Sequence, residues 1–336
     1  MKMYAGRKNA REVKAFLIAV LMISGVLLQS LAAAAEPESY PSKAVRFVVP
    51  FAPGGGADLL ARLVGTKAAE GLGQQVVIDN RPGAGGNIGA EITARSAADG
   101  YTLLEANVSH AISASLYKSL NYDLVKDFSA VTQLASTSFM LNVATSSPVG
   151  SIKDFIASAR ASTTQWNYGS AGGGSPSHLA MELLNSMAGI SSRHIPYKGA
   201  TPALADLMSG QLQMMFNTLA VALPLVKGAK LKGLAVSSSR RISLAPDYPT
   251  LAESGLPGYE ATTWYGVMAP AGTPAPAIAK LHRTFVAALN SPDLQDKLAS
   301  QSFELVGSSP AEFAAYVRAE IPKWAKVVKS SDAKPD

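Results

Sequence analysis

Three glycine-rich stretches carry the chemical signal in this sequence. Residues 45–62 read VRFVVPFAPGGGADLLAR: a β-branched and aromatic run, a proline stop, three glycines, then an apolar-periodic helix that opens near Asp58. Glycine has no Cβ, so the backbone can approach a ligand closely. The first turn of a helix offers unpaired amides with a partial positive charge. Strand, bare loop and helix N-terminus in that order make a site for an anion. The design recurs as RPGAGGN over residues 81–87, after an apolar strand at 75–80. It returns as GSAGGGS over residues 169–175, before a helix that opens on Pro176. In open α/β sheets the carboxyl ends of the strands line the ligand crevice, so all three loops can face one cleft.

Other chemistries fit less well. No G-x-x-x-x-G-K-[ST] lysine is present to neutralise a triphosphate, and the GxGxxG spacing with a downstream ribose acid is missing. Neutral amide donors suit a carboxylate, where each charge-assisted bond contributes about 1.5 to 3 kcal/mol net. His110, His178, His194 and His282 show no i, i+3 or i+4 pairing and no acid at ligand-like spacing, so no metal is expected. His178 follows Ser175-Pro176, with Ser175 a candidate helix cap, and is expected to orient that loop. Ser109 beside His110 suggests a nucleophile and base, but adjacent strand-end residues point apart, no orienting acid follows, and G-x-S-x-G is missing. Asp58 is expected to serve its helix dipole, since it would repel an anion lacking an amine. Arg81 is the nearest fixed cation to the 83–87 loop, which is as suited to bracing the domain as to touching a ligand. Tyr197 at a strand end and Trp264-Tyr265 on a later strand either cover an apolar part of a ligand or pack in the core.

The elements that place these residues alternate strand and helix. Strands are expected at 45–51, 75–79 and 101–106 with helices at 57–70 and 88–97, an order that makes a parallel sheet with right-handed crossovers. The third strand ends in Asn107-Val108-Ser109-His110, a further candidate cleft loop. A long apolar stretch at 131–144 then leads into a second α/β region. There strands fall at 165–168, 193–197, 212–216 and 232–236, helices at 151–160, 176–187, 202–208 and 224–227, and the 212–216 strand ends in Asn217-Thr218. Residues 259–270 return the chain to the first region, and helices at 276–290, 292–300 and 310–328 close it. A chain that leaves a domain and comes back gives two lobes joined by two strands, with a hinge and a cleft between them.

At 336 residues with 48% hydrophobic content the chain can fill two cores. Residues 1–35 differ in kind: Lys2, Arg7, Lys8, Arg11 and Lys14 precede an apolar run and a string of alanines, the pattern of a signal peptide cleaved near Ala34-Ala35. The apolar run, residues 15–28, is shorter than the roughly 20 residues a spanning helix needs. The formal charge of +6 rests on 30 basic and 24 acidic residues. Removing the leader's five basic residues and Glu12 leaves 25 against 23, about +2. The sequence pI of 9.3 is therefore largely the leader's, and no nucleic-acid footprint is supported. With no cysteine, the exported product has no disulfide framework and no lipoprotein attachment site.

The ordered segments FVVPFAPGGGAD, DNRPGAGGNIGAE, DGYTLLEAN, NYGSAGGGSPSHLAMELL, HIPYKGATPALADLMSGQLQMMF and GLAVSSSRRISLAPDYPTLAESGLPGYE together resemble the Bug-type periplasmic receptors of tripartite tricarboxylate transporters. The resemblance covers essentially the whole chain after the leader. It implies an α/β fold of the type II, flytrap kind: two lobes with two crossover strands, gripping a small carboxylic acid without cofactor or metal. Family ligands include di- and tricarboxylates, amino acids and aromatic acids. Carried onto this sequence, the carboxylate-holding loops are Ala52-Pro53-Gly54-Gly55 and Ser170-Ala171-Gly172 with Ser175 beside it. Ser109, Tyr197 and Asn217 complete the expected site. Many relatives carry Asp at the position of Asn217, so the ligand's identity does not transfer with the fold.

These readings converge on a periplasmic, monomeric, non-enzymatic receptor. Lobe 1 is expected over residues 36–137 and 259–336, and lobe 2 over 138–258. Its partners are a small carboxylate and the large and small membrane subunits of a transporter. A ligand-sensing subunit for a membrane signalling protein is the alternative, and an exported hydrolase acting through Ser109 a remote one.

Overall fold

The computed structural model describes residues 40–161, 166–330 and 333–335; the expected leader lies outside them. In chain order the elements are β1 (Val45–Val49), α1 (Gly56–Leu72), β2 (Val76–Asn80), α2 (Asn87–Ala94), β3 (Thr102–Asn107), α3 (Val108–Leu116) and β4 (Phe128–Ala144). Next come α4 (Ile152–Ala161), β5 (Trp166–Ser170), α5 (Pro176–Ala188), β6 (Ser192–Pro196), α6 (Ala200–Met208), β7 (Met214–Thr218), α7 (Leu219–Lys227) and β8 (Leu231–Val236). The chain closes with β9 (Thr262–Pro270), α8 (Ala275–Leu289), α9 (Pro292–Ser300), β10 (Glu304–Leu305) and α10 (Pro310–Ser330). By internal contacts residues 43–336 form one unit and residues 1–42 another, of which only 40–42 are described. Among the described residues no helix is long and apolar enough to cross a membrane.

The sheet runs β2-β1-β3-β9-β4-β7-β5-β6, with β8 and β10 also on β4. Its two ends are parallel. β1 pairs with β2 from Val45↔Val76 to Val49↔Asn80 and with β3 from Arg46↔Thr102 to Val48↔Leu104, while β5 pairs in parallel with both β6 and β7. Each parallel neighbour requires a helical crossover, and α1, α2, α5 and α6 supply them.

β4 joins the halves. Its 17 residues are buried nearly throughout, because both faces of this strand are covered. The first part pairs antiparallel with β9, from Phe128↔Pro270 to Ser138↔Thr262; the last part pairs with β7 and β8. A strand of this length would extend about 55 Å if straight. Register shifts at Ala130/Thr132, Gln133/Ala135 and Leu141/Asn142 bend it instead, as bulges do. The return passes from β8 through residues 237–261 to β9, and the Ala261 amide donates to the Ser237 carbonyl at 2.9 Å. The result is a mixed α/β, two-lobed periplasmic binding fold.

Two of the hydrophobic clusters centre on the two halves, and Leu179 of α5 packs into the second of them. One gathers Phe155 of α4, Tyr168 of β5, Leu184 of α5 and Phe216 of β7. The other gathers Leu104 of β3, Ile112 of α3, Trp264 of β9 and Phe313 of α10. The indole NH groups of Trp264 and Trp324 both donate to Glu320 Oε2, at 3.1 and 2.9 Å, so α10 is pinned to the sheet by a carboxylate as well as by area.

Two expectations are corrected. Asn107-Val108-Ser109-His110 is not a loop: Asn107 Oδ1 accepts from the Ser109 amide at 3.0 Å, the Asn107 amide donates to His110 Nδ1 at 3.1 Å, and this cap starts α3 at Val108. The helix expected at 224–227 begins five residues earlier, at Leu219, and carries Pro224 inside it. Its apolar face against β4 and β8 outweighs the hydrogen bond the proline removes.

Candidate functional site

The first glycine loop ends at Gly55, which precedes α1 with extended backbone and no side-chain cap. Asp58 organises it. Its Oδ2 accepts from the Gly54 amide and from Arg62 Nε, both at 2.9 Å, and its Oδ1 accepts from Asn80 Nδ2 at 2.9 Å. Burial alone would raise this carboxyl, but bonds from Arg62, Gly54 and Asn80 outweigh it and hold the pKa below the usual value. The acid is thus consumed within the loop. Gly56 must be glycine on space: a Cβ there would stand 2.7 Å from Thr218 Oγ1 and 3.1 Å from the Tyr265 hydroxyl.

The second glycine loop is built from behind. Ser175 caps α5 by accepting from the His178 amide, and Ser170 Oγ accepts from the Gly172 amide at 3.1 Å. Two histidines support them. His178 Nδ1 accepts from the Gly174 amide at 3.0 Å, and His194 Nε2 lies 2.6 Å from Ser170 Oγ. Their rings stack at 3.8 Å, with Tyr168 5.0 Å from His194. Burial pushes both down, to about 3 for His178, where His194 adds a like charge, and to about 4 for His194. Both are therefore neutral. Sequence spacing concealed this pair; the parallel register Tyr168↔His194 between β5 and β6 creates it.

Between the loops lies a cavity of about 60 Å³. It is lined by Phe51, Gly55, Gly56, Ala57, Asn107, Phe139, Ala171, Pro176, Ser177, Ala200, Phe216, Asn217, Thr218, Val221, Thr263 and Tyr265. That is several times the ~10–15 Å³ one water needs on the same measure. Five helix beginnings meet there: Gly55 to Ala57 at α1, Asn107 at α3, Pro176 and Ser177 at α5, Ala200 at α6, and Thr218 at α7. No Asp, Glu, Lys, Arg or His lines it. Two lining residues carry a side-chain oxygen that is buried without a hydrogen-bond partner, Asn217 Oδ1 and Thr218 Oγ1.

Of the residues expected at the site, Gly55, Ala171 and Asn217 line the cavity. Ala52, Pro53 and Gly54 stand at the contact with residues 199–201, where the Pro53 carbonyl accepts from Thr201 Oγ1 at 2.5 Å. Ser170, Gly172 and Ser175 shape the second loop behind the wall. Ser109 donates its hydroxyl to Asn107 Oδ1 at 2.6 Å, inside the α3 cap. Tyr197 turns away to donate to Asp206 Oδ2 at 2.5 Å. The 81–87 loop meets the second one, with Gly85 against the Gly173 carbonyl. Among the described residues no group of three or more His, Asp or Glu could hold a metal ion.

A family model, the tripartite tricarboxylate transporter family receptor, matches residues 60–332. The chain belongs to that family. Solved receptors agree in fold along the whole domain. R. palustris Rpa4515, solved with adipate, is 38% identical at a TM-score of 0.85, covering 88% of this chain and all of that one. MatC from Rhodopseudomonas palustris, solved with bound malate, is 34% identical at 0.83, covering 86% of this chain and all of its own. The periplasmic binding protein BugD is 32% identical at 0.85, covering 88% and 99%. This tripartite tricarboxylate transporter receptor thus shares its architecture with periplasmic solute-binding proteins.

Proposed function

We propose that this chain is exported to the periplasm, captures a small carboxylic acid between its lobes and delivers it to the large and small membrane subunits of a tripartite transporter. The lobes are residues 36–137 with 259–336, and residues 138–258. One observation carries the reading: five helix N-termini converge on a cavity lined by no Asp, Glu, Lys, Arg or His. The N-termini of α1, α6 and α7 carry no side-chain cap, and each of the five brings about half a positive charge. A carboxylate entering there replaces water by fixed donors, and neutral walls leave no cation to demand a phosphate's second charge. The adipate and malate found with two relatives are of that chemical class.

In this reading Gly55, Gly56 and Ala57 hold one side of the carboxylate, and Ala171 with Ser177 the other. Ala52, Pro53 and Gly54 close the lobes over it, and Asn217 meets the ligand's far end. Ser170, Gly172, Ser175 and Ser109 keep the loops in shape. Leader removal near Ala34-Ala35 releases the receptor. A thermal-shift screen of the purified protein over carboxylates, amino acids and sugars tests the assignment. Carboxylates are expected to stabilise it, with affinity near micromolar, about −8 kcal/mol. Stabilisation by uncharged sugars alone overturns it.

A further inference from the structure

Asn217 is 2% exposed and lines the cavity, and its amide can face the ligand in either of two ways. Its neighbour decides which. Asn217 Nδ2 donates to Asn142 Oδ1 at 3.1 Å across the β4–β7 ladder, and Asn142 Nδ2 in turn points at the Lys232 carbonyl oxygen, at 3.5 Å. Reversing both amides would keep the bond between the two asparagines but set Asn142 Oδ1 against that carbonyl, oxygen against oxygen. Lys232 is held in the β4–β8 ladder opposite Val143, so its carbonyl cannot turn away. The relay therefore leaves Asn217 Oδ1, on a residue that lines the cavity, as a fixed acceptor, and that atom is buried without a partner.

A buried acceptor without a partner is costly unless the occupant brings a donor. A second carboxylate cannot do so; its oxygens would face Asn217 Oδ1 lone pair to lone pair. An ammonium group could donate, but no ionised acid lines the cavity to offset its lost hydration. A hydroxyl donates at no cost in charge, and the Thr218 hydroxyl, also unpartnered, can accept from or donate to it. Phe51, Phe139 and Phe216 surround the rest with apolar surface. We infer that this receptor is selective for a hydroxylated monocarboxylate with an apolar body, whose hydroxyl donates to Asn217 Oδ1. The inference rests on the carboxylate-receptor reading above and adds the second recognition point.

Calorimetric titration of the purified protein with matched sets tests it: benzoate and 4-hydroxybenzoate; butanoate, 3-hydroxybutanoate and 3-aminobutanoate; and adipate. The hydroxylated member of at least one set is expected to bind about tenfold more tightly than its deoxy and amino counterparts and than adipate, the usual consequence of leaving a buried acceptor unpaired. In Asn142→Ala, whose Asn217 is free to rotate, that ratio is expected to fall to within about threefold while the deoxy acid still binds. If the carboxylates bind and no hydroxylated member leads its set, or if a folded Asn142→Ala keeps the preference, the inference is overturned and the receptor reading survives. If none of these acids binds while another solute class does, the receptor reading itself falls, and the inference with it.

Discussion

The Thr201 hydroxyl donates to the Pro53 carbonyl oxygen at 2.5 Å although 148 residues separate the two. Pro53 belongs to the loop before α1 and Thr201 to the first turn of α6, so this bond joins the two sides of the cavity at its rim. A receptor that opens to load its ligand must break it. Thr201→Val keeps the shape and removes the donor; the closed form loses about 0.5 to 1.5 kcal/mol, and affinity is expected to weaken roughly three- to tenfold, mainly through faster release. Stopped-flow dissociation measures this directly. An unchanged release rate would mean that the bond does not contribute to closure.

Sequence reasoning recovered the glycine loops because each is a local signal: strand, glycines and helix start are contiguous in the chain. The same locality identified Ser175 as a cap and His178 as a residue that orients its loop. What it missed is assembled across distance. Phe139 and Asn142 reach the cavity region only because β4 continues for 17 residues from one half of the sheet into the other. Thr263 and Tyr265 enter on β9, which pairs with both β3 and β4. The strand-end positions of Ser109 and Tyr197 point to cleft residues, but a capping bond and an Asp206 partner claim their hydroxyls. Strand ends can be placed by pattern; the hydrogen-bond competition at each end cannot.

Asp58 offers a sharper test of how the first loop is held. Asp58→Ala removes acceptors used by Gly54, Arg62 and Asn80 and leaves the loop amide without its partner. The expected loss is about 2 to 3 kcal/mol of folding stability, set by charge-assisted bonds to a carboxylate whose side chain is 5% exposed. Because the folded pKa lies below its usual value, this contribution is present above the ordinary carboxylate range and fades as pH falls through it. Denaturation curves of the two proteins should therefore converge toward acid. Parallel curves down to pH 3 would count against the account.

Glu105 behaves in the opposite sense. It is fully buried in β3, accepts from Asn107 Nδ2 at 3.1 Å through Oε2, and leaves Oε1 without a partner. Burial raises its pKa well above 4.5. The folded protein therefore retains a proton that the unfolded chain gives up, and stability present below pH 4.5 is lost as pH climbs toward the folded value. Glu105→Gln keeps an acceptor for Asn107 and has no proton to lose. The variant is expected to gain on the parent by about 1 kcal/mol or more at pH 7.5 and to match it near pH 4. Urea denaturation at the two pH values decides this, and an equal offset at both would refute it.

The histidines set the acid limit. His178 and His194 behind the second loop, and His110 in the α3 cap, are held neutral by burial at about 3, 4 and 4 against an ordinary 6.5. Above pH 6.5 folded and unfolded states are both neutral, so these groups contribute no slope there. Below it the unfolded chain takes up protons that the folded protein refuses, and each histidine removes up to about 1.4 kcal/mol per pH unit until its folded pKa is reached. Stability is thus expected to fall steeply between pH 6.5 and 4. His178→Asn, whose side-chain oxygen can still accept from the Gly174 amide, should remove about one third of that slope while leaving stability at pH 7.5 within about 1 to 2 kcal/mol of the parent. Chemical denaturation at half-unit steps reads the slope. Should it be the same in the variant, the acid sensitivity comes from the carboxylates, and His178 is not the group that ties the loop to pH.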